Sequence, residues 1–117
     1  MRTVLIALLG WALAAAPAAA HALLEAATPA VGSHLAAAPT ELTLRYSGAI
    51  DASFSRVELQ APDGTPIHIA PAAPASPAEL HFSLPALAAG EYEVIWHVTS
   101  TDGHMTQGRF RFWVEGK

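Results

Sequence analysis

The chain has 117 residues, no cysteine and a formal net charge of −4 at neutral pH. The lack of cysteine excludes a disulfide framework and a lipoprotein anchor. The acidic balance disfavours binding to nucleic acid or to an anionic membrane surface.

The first segment has the pattern of a secretory signal peptide. Arg2 precedes a nearly unbroken apolar run, Val4–Ala16, which is shorter than the roughly 20 residues needed to span a bilayer. We expect cleavage after Ala20, so that residues 1–20 are removed and residues 21–117 form one exported, periplasmic domain without membrane insertion. The triplet Ala20-His21-Ala22 also satisfies the small-x-small cleavage rule, and a cut there would remove the histidine.

The rest of the chain consists of short runs in which apolar and polar residues alternate, as in strands with one buried face. Asp63-Gly64 tolerates the positive φ angles of a tight turn, which predicts a hairpin near residues 55–70. The Pro- and Ala-rich stretch Pro71–Ala78 is predicted to be a loop. This pattern indicates an all-β fold, a small Greek-key β-sandwich or barrel of immunoglobulin-like type with about seven strands. In chain order the runs cover residues 23–27, 41–46, 56–60, 67–69, 80–84, 92–98 and 110–114.

The same alternation assigns structural roles to several aromatic and histidine side chains. Trp96 is expected to anchor the core, and Tyr92 to fix a corner of the sandwich through its hydroxyl. His34 is placed in a turn region. His68 and His81 alternate with apolar residues and are therefore expected to face solvent.

Two distant parts of the chain contain residues suited to a metal site. If cleavage follows Ala20, His21 provides a free α-amine and an imidazole nitrogen from the same residue. Asp102 and His104 are two residues apart, so their side chains would leave one face of an extended segment, and Gly103 would let the backbone kink. Alone, the Asp-Gly-His motif is equally compatible with an ordinary turn.

Longer stretches around these residues carry a family resemblance. The C-terminal part contains GEYEVIWHVTSTDGH at residues 90–104 and GRFRF at 108–112. The N-terminal part contains His21-Ala22-Leu23, TPAVGS at 28–33 and APTELTLRYS at 38–47. Over essentially the whole mature chain, the order and separation of these elements resemble the CopC-like family of periplasmic copper-binding, or copper resistance, proteins.

The resemblance implies a Greek-key β-barrel with one Cu(II) ion per mature chain. Its ligands would be the N-terminal amine and imidazole of His21 together with Asp102 and His104, an arrangement similar to a histidine brace. Amine and imidazole nitrogens suit the tetragonal preference of Cu(II). Glu25 and His97 are candidates for orienting these ligands from outside the coordination shell, Glu25 by a hydrogen bond to the amine or imidazole. The alternative is that both are ordinary surface residues.

Some members of that family carry a second, methionine-rich Cu(I) site. Here the only methionines are Met1 and Met105, and Met1 would leave with the leader. We therefore expect no separate Cu(I) site, because one thioether cannot form a multi-sulfur site. Met105 is expected to pack within a strand or loop.

The function implied by the resemblance is that of a monomeric Cu(II)-binding protein in copper homeostasis or resistance, not an enzyme. It would sequester copper or deliver it to a CopD-like inner-membrane copper transporter. Two other classes stay open. One is a histidine-brace monooxygenase. Two features argue against this class: the Asp102 carboxylate favours Cu(II) over Cu(I), and the sequence shows no evident aromatic platform for binding sugar. The other is a metal-free immunoglobulin-like interaction module.

Overall fold

The computed structural model describes residues 22–116, which form two β-sheets around one apolar core. The first sheet has the strand order β1-β3-β7-β6, and the second has the order β2-β9-β8-β4-β5. A short 3₁₀ helix, Ala52–Phe54, precedes β4. In this part of the chain no helix is long and apolar enough to cross a membrane. The strands are β1 Leu24–Thr28, β2 His34–Leu35, β3 Glu41–Tyr46, β4 Arg56–Gln60, β5 Pro66–Ile67, β6 Ala70–Ala72, β7 Glu79–Ser83, β8 Gly90–Thr99 and β9 Met105–Val114.

The core is built from the alternating residues that the sequence pattern assigns to the inner faces of the strands. Successive side chains of a strand point to opposite faces, so every second residue reaches the interior. The all-β sandwich is therefore confirmed. The most completely buried side chains are Leu42, Leu44, Tyr46, Leu59, Val94, Val98 and Phe112.

Trp96 anchors the end of this core nearest the β8–β9 turn, as predicted. Its side chain is buried, and its ring meets Tyr46 edge to face with the ring centroids 5.3 Å apart. Across the ladder Trp96 pairs with Gly108, where an added Cβ would lie only 2.6 Å from the indole ring. A glycine at position 108 thus leaves room for the indole ring beside β9.

Tyr92 fixes a corner of the sandwich, which also confirms the prediction. Its hydroxyl donates a hydrogen bond of 2.6 Å to the carbonyl oxygen of Ala88, four residues upstream. The ring stacks on Phe112 from the neighbouring strand. The corner thereby connects the loop before β8 to the core.

The predicted hairpin near residues 55–70 is present between β4 and β5. Leu59 pairs with Ile67, the turn glycine Gly64 has a φ of 87°, and Ala61 donates its N–H to the carbonyl of Thr65 at 2.8 Å. Strand β5 ends at Ile67, earlier than the predicted run, because the chain then crosses to the first sheet as β6.

Two short strands lie where the sequence predicted turns or loops. β2 runs parallel to the end of β9, and its His34 stacks on Trp113 with the ring centroids 4.5 Å apart. β6 occupies part of the predicted loop Pro71–Ala78 and pairs with β7. Strands of two or three residues are too short to show an alternating pattern, and a proline is tolerated in β6 because this strand lies at a sheet edge.

The two histidines that alternation places in solvent, His68 and His81, differ in their exposure. His68 is exposed, as predicted. His81 was expected to face solvent, but its side chain is only 24% exposed, and its Nε2 lies 3.1 Å from Oε1 of Glu79. The Glu79 carboxylate lies against the ring, which is therefore less exposed than alternation alone predicts.

Candidate metal centre

The Asp-Gly-His motif lies in the turn that joins the two longest strands, β8 and β9. Ser100 donates its N–H to the carbonyl of His104 at 2.8 Å, and Gly103 donates to the carbonyl of Ser100 at 2.9 Å. Gly103 has a φ of 92°, a conformation that side-chain-bearing residues rarely adopt. The sequence prediction that Asp102 and His104 share one side is therefore correct, although a tight turn produces it and not an extended segment.

The side chains of Asp102 and His104 converge. Nδ1 of His104 lies 3.2 Å from Oδ1 of Asp102, and the His104 backbone N–H donates to the same oxygen at 3.3 Å. The side chain of His104 is 54% exposed, and that of Asp102 is 42% exposed. An imidazole and a carboxylate are thus presented together at the surface, where an ion could reach both.

Ser100 holds the carboxylate in place. It is the buried polar residue of this region, at 6% exposure, and its hydroxyl donates a hydrogen bond to Oδ1 of Asp102. This hydrogen bond is the main reason that the pKa of Asp102 is lowered, with smaller contributions from His104. Asp102 therefore stays ionised and available as an anionic oxygen ligand.

Sequence reasoning missed Ser100. The signal that could have indicated its role is its spacing of two residues from Asp102, because serine and aspartate side chains commonly hydrogen-bond to groups two residues away in turns.

The connection between β3 and β4 supports the turn from the side. Ile50 forms an isolated antiparallel bridge with Ser100. Asp51 donates its N–H to the carbonyl of Thr99 at 2.8 Å, and Thr101 donates to the carbonyl of Ala49 at 3.1 Å. The β8 side of the turn is consequently held against the connection between β3 and β4.

His21, the third predicted ligand residue, lies outside the described residues, but its neighbour Ala22 is placed firmly. Ala22 is 1% exposed, and its carbonyl accepts a hydrogen bond of 2.7 Å from Oγ1 of Thr106. Leu23 donates its N–H to Oγ of Ser47 at 2.9 Å. Since Thr106 is two residues from His104, the described chain begins at the same end of the sandwich as the Asp-Gly-His turn.

Asp102 and His104 are two candidate ligands, and a complete metal site needs more than two. Within residues 22–116 no group of three or more His, Asp or Glu side chains is placed to hold a metal ion. His97 projects from the outer face of β8 beside Gln107, and Glu25 is exposed on β1. Their proposed outer roles around the metal stay predictions.

Met105 corrects one expectation. It was predicted to pack within a strand or loop, but it is 74% exposed at the first position of β9. Met105 pairs with Thr99 at the turn end of the hairpin, and its side chain lies on the outer face of the sheet.

The comparison with known proteins identifies the family. The CopC domain matches residues 24–115 of this chain. The chain belongs to the CopC family. It is also 34% identical over 99 residues to Protein YobA of Escherichia coli K12, a match that covers 82% of this chain and 80% of that protein. The Protein YobA of Shigella flexneri matches to the same extent.

Solved structures of CopC relatives share the fold. The crystal structure of CopC from Methylosinus trichosporium OB3b has a TM-score of 0.77 and 32% sequence identity, covering 82% of this chain and 95% of the other. PcoC from Escherichia coli, a methionine-rich copper resistance protein, has a TM-score of 0.75 and 28% identity, covering 81% and 99%. The family resemblance seen in the sequence is thereby confirmed.

Proposed function

We propose that this CopC family protein is exported, loses residues 1–20, and binds one Cu(II) ion per mature monomer in the periplasm. The ligands would be the α-amine and imidazole of His21, the imidazole of His104 and the carboxylate of Asp102. The observation that carries this proposal is the convergence of His104 and Asp102 at 3.2 Å, beside the point where the mature chain would begin.

The donor set fits Cu(II) better than other divalent ions. Three nitrogen atoms and one carboxylate oxygen suit a tetragonal ion, and Cu(II) has the highest affinity in the divalent series for such ligands. The ionised state of Asp102, held by Ser100, supplies negative charge toward the cation. A carboxylate ligand also favours Cu(II) over Cu(I), so we propose binding and not redox catalysis.

Removal of the His104 imidazole should test this site directly. His104→Ala in the processed protein is expected to lower Cu(II) affinity by at least about a hundredfold, because even outer-shell changes cost 10–100-fold at metal sites. The measurement is a Cu(II) titration against a competing chelator, with electron paramagnetic resonance to report the ligand nitrogens. The matched control is His68→Ala, which removes an exposed imidazole between β5 and β6.

Cu(II) affinity that is unchanged by His104→Ala would contradict the site. An equal loss of affinity in His104→Ala and His68→Ala would indicate that copper binds to scattered surface imidazoles. Either result would favour a metal-free interaction module whose copper binding is incidental.

A place in copper homeostasis or resistance is supported by the relatives, of which PcoC is described as a copper resistance protein. The surface near the site further supports delivery to a partner, such as a CopD-like membrane copper transporter. Leu23, Phe54 and Met105 are 55%, 73% and 74% exposed. We call these three residues the apolar rim.

The apolar rim is connected to the metal end of the sandwich by specific contacts. Met105 follows His104 and pairs with Thr99, whose Oγ1 donates to the Phe54 carbonyl at 3.0 Å. Leu23 follows Ala22, which is hydrogen-bonded to Thr106. Exposed apolar groups gathered beside a binding site are typical of surfaces that contact another protein.

Phe54→Ser should separate delivery from simple storage. Phe54 is the exposed last residue of the short 3₁₀ helix, so we expect the variant to keep its fold and its Cu(II) affinity. If copper is passed to a partner across the apolar rim, cells that express the variant should lose most of the copper tolerance conferred by the unaltered protein. Undiminished tolerance at equal protein levels would indicate storage without docking at Phe54. The control is Val31→Ser, which alters another exposed apolar residue outside the rim.

A further inference from the structure

The short 3₁₀ helix Ala52–Phe54 interrupts the ladder between β4 and β8 close to the Asp-Gly-His turn. The ladder ends with the pair Arg56 and His97. Two residues further along β8, Thr99 would face Phe54 in the same register, but Phe54 belongs to the helix. The chain that would pair with Thr99 is therefore not a strand, and side chains take the place of the ladder.

The hydroxyl of Ser55 supplies the replacement contact. Thr99 donates its N–H to Oγ of Ser55 at 3.0 Å, and the same hydroxyl donates to the carbonyl of Asp51 at 2.8 Å. Asp51 in turn donates its N–H to the carbonyl of Thr99 at 2.8 Å. A serine hydroxyl has one proton to donate and lone pairs to accept, and Ser55 uses both. The two backbone polar groups of Thr99 are thus both held by this connection.

Thr99 directly precedes the residue that orients the candidate metal-binding carboxylate. The hydroxyl of Ser100 donates to Oδ1 of Asp102, and the Ser100 N–H donates to the carbonyl of His104 at 2.8 Å. The direction in which the Ser100 side chain leaves the backbone depends on the peptide plane between Thr99 and Ser100. Because the connection fixes that plane, a continuous series of bonds leads from Ser55 to Asp102.

The backbone of Ser55 allows its hydroxyl to be tested without a change in fold. Ser55 follows the helix with φ −117° and ψ 152°, an extended conformation that β-branched residues also favour. Threonine can therefore replace it and keep the hydroxyl, whereas alanine removes the hydroxyl alone. Ser53 lies in the same helix, and its hydroxyl donates instead to Oδ1 of Asp51 at 2.7 Å.

We propose that Ser55 is a positioning residue for the Cu(II) ligands. Its hydroxyl fixes the backbone of Thr99, and through it the direction in which Ser100 presents the Asp102 carboxylate. This inference rests on the proposed function and goes beyond it, because it assigns part of the Cu(II) affinity to a residue outside the ligand set. A ligand that is already aligned before the metal arrives has less conformational freedom to lose on binding.

The first measurement is a competitive Cu(II) titration of Ser55→Ala, Ser55→Thr and Ser53→Ala in the processed protein, with electron paramagnetic resonance of each loaded variant. Ser55→Ala should lower Cu(II) affinity by about tenfold, the low end of the range for residues that support metal ligands, and should alter the spectrum. Ser55→Thr should keep both the affinity and the spectrum. Ser53→Ala is the matched control and should also keep both.

The second measurement needs no metal. Amide hydrogen exchange in the metal-free protein reports how firmly the turn is held. In Ser55→Ala the amide of Ser100, which is bonded within the turn and does not contact Ser55, should exchange about tenfold faster, the scale of one lost hydrogen bond. Ser55→Thr should exchange at this amide as the unaltered protein does.

Cu(II) affinity within about twofold of the unaltered protein in Ser55→Ala would overturn the proposal, as would unchanged exchange at Ser100. Equal losses of affinity in Ser55→Ala and Ser53→Ala would also overturn it, because general loosening of the helix would then be the cause. If His104→Ala abolished Cu(II) binding while Ser55→Ala did not affect it, this proposal alone would be refuted. Failure of the unaltered protein to bind Cu(II) tightly would refute the proposed function as well.

Discussion

One additional residue before His21 is expected to lower the Cu(II) affinity of the processed protein by at least about a hundredfold. The extension converts the α-amine into an amide, which does not coordinate in the same way, and moves the charged terminus away from the His21 imidazole. The fold should be unaffected because the added residue precedes the first described strand. The measurement is a competitive Cu(II) titration, with electron paramagnetic resonance to count the coordinating nitrogens.

The matched control is one additional residue after Lys117, which changes the length equally at the other terminus. This control should bind Cu(II) as the processed protein does. If the N-terminally extended protein kept both its affinity and its spectrum, amine ligation would be wrong. The site would then depend on Asp102 and His104 with ligands other than the amine of His21.

Trp96→Ala should give the largest loss of stability among single core substitutions at the end of the sandwich that carries the Asp-Gly-His turn. Replacing a buried tryptophan with alanine costs about 3–5 kcal/mol, because apolar burial is lost and a cavity remains. Trp96 also packs edge to face with Tyr46 and lies against Gly108. Because small domains are stable by only about 5–15 kcal/mol, the variant should be marginally folded. Urea unfolding followed by circular dichroism measures the free-energy difference.

Trp113→Ala is the control for this prediction. Trp113 lies on the outer side of β9, where it is only partly buried and stacks on His34. Loss of an aromatic stacking pair costs about 0.5–1.5 kcal/mol. If the two tryptophan variants lost equal stability, the assignment of Trp96 as the anchor would be contradicted.

Most of the fold could be predicted from the sequence because the strands have one buried and one exposed face. The period of two residues located the long strands and identified Trp96 as a core residue. It could not identify β2 or β6, which are too short to show a period and are stabilised by pairing with β9 and β7. It also placed His81 in solvent, since alternation carries no information about the Glu79 carboxylate that lies against its ring.

The candidate site could be predicted only in part. Asp102 and His104 are close in sequence, so their convergence needed nothing more than a local turn. The role of His21 rests on cleavage after Ala20, and it stays a prediction because that residue lies outside the described chain. The placement of Ala22 beside Thr106 could not be predicted from any local pattern. These residues are far apart in sequence, and only the folded sandwich brings them together.

The hydrogen bond from Thr106 to the Ala22 carbonyl has an entropic consequence for metal binding. A terminal amine on a free tail would have to lose many backbone rotations before it could chelate, and that ordering would weaken the affinity. Here the backbone is already fixed in the folded protein at Ala22, one residue after the proposed ligand. Only the few torsions of His21 itself would remain to be restricted, so most of the coordination energy would appear as affinity.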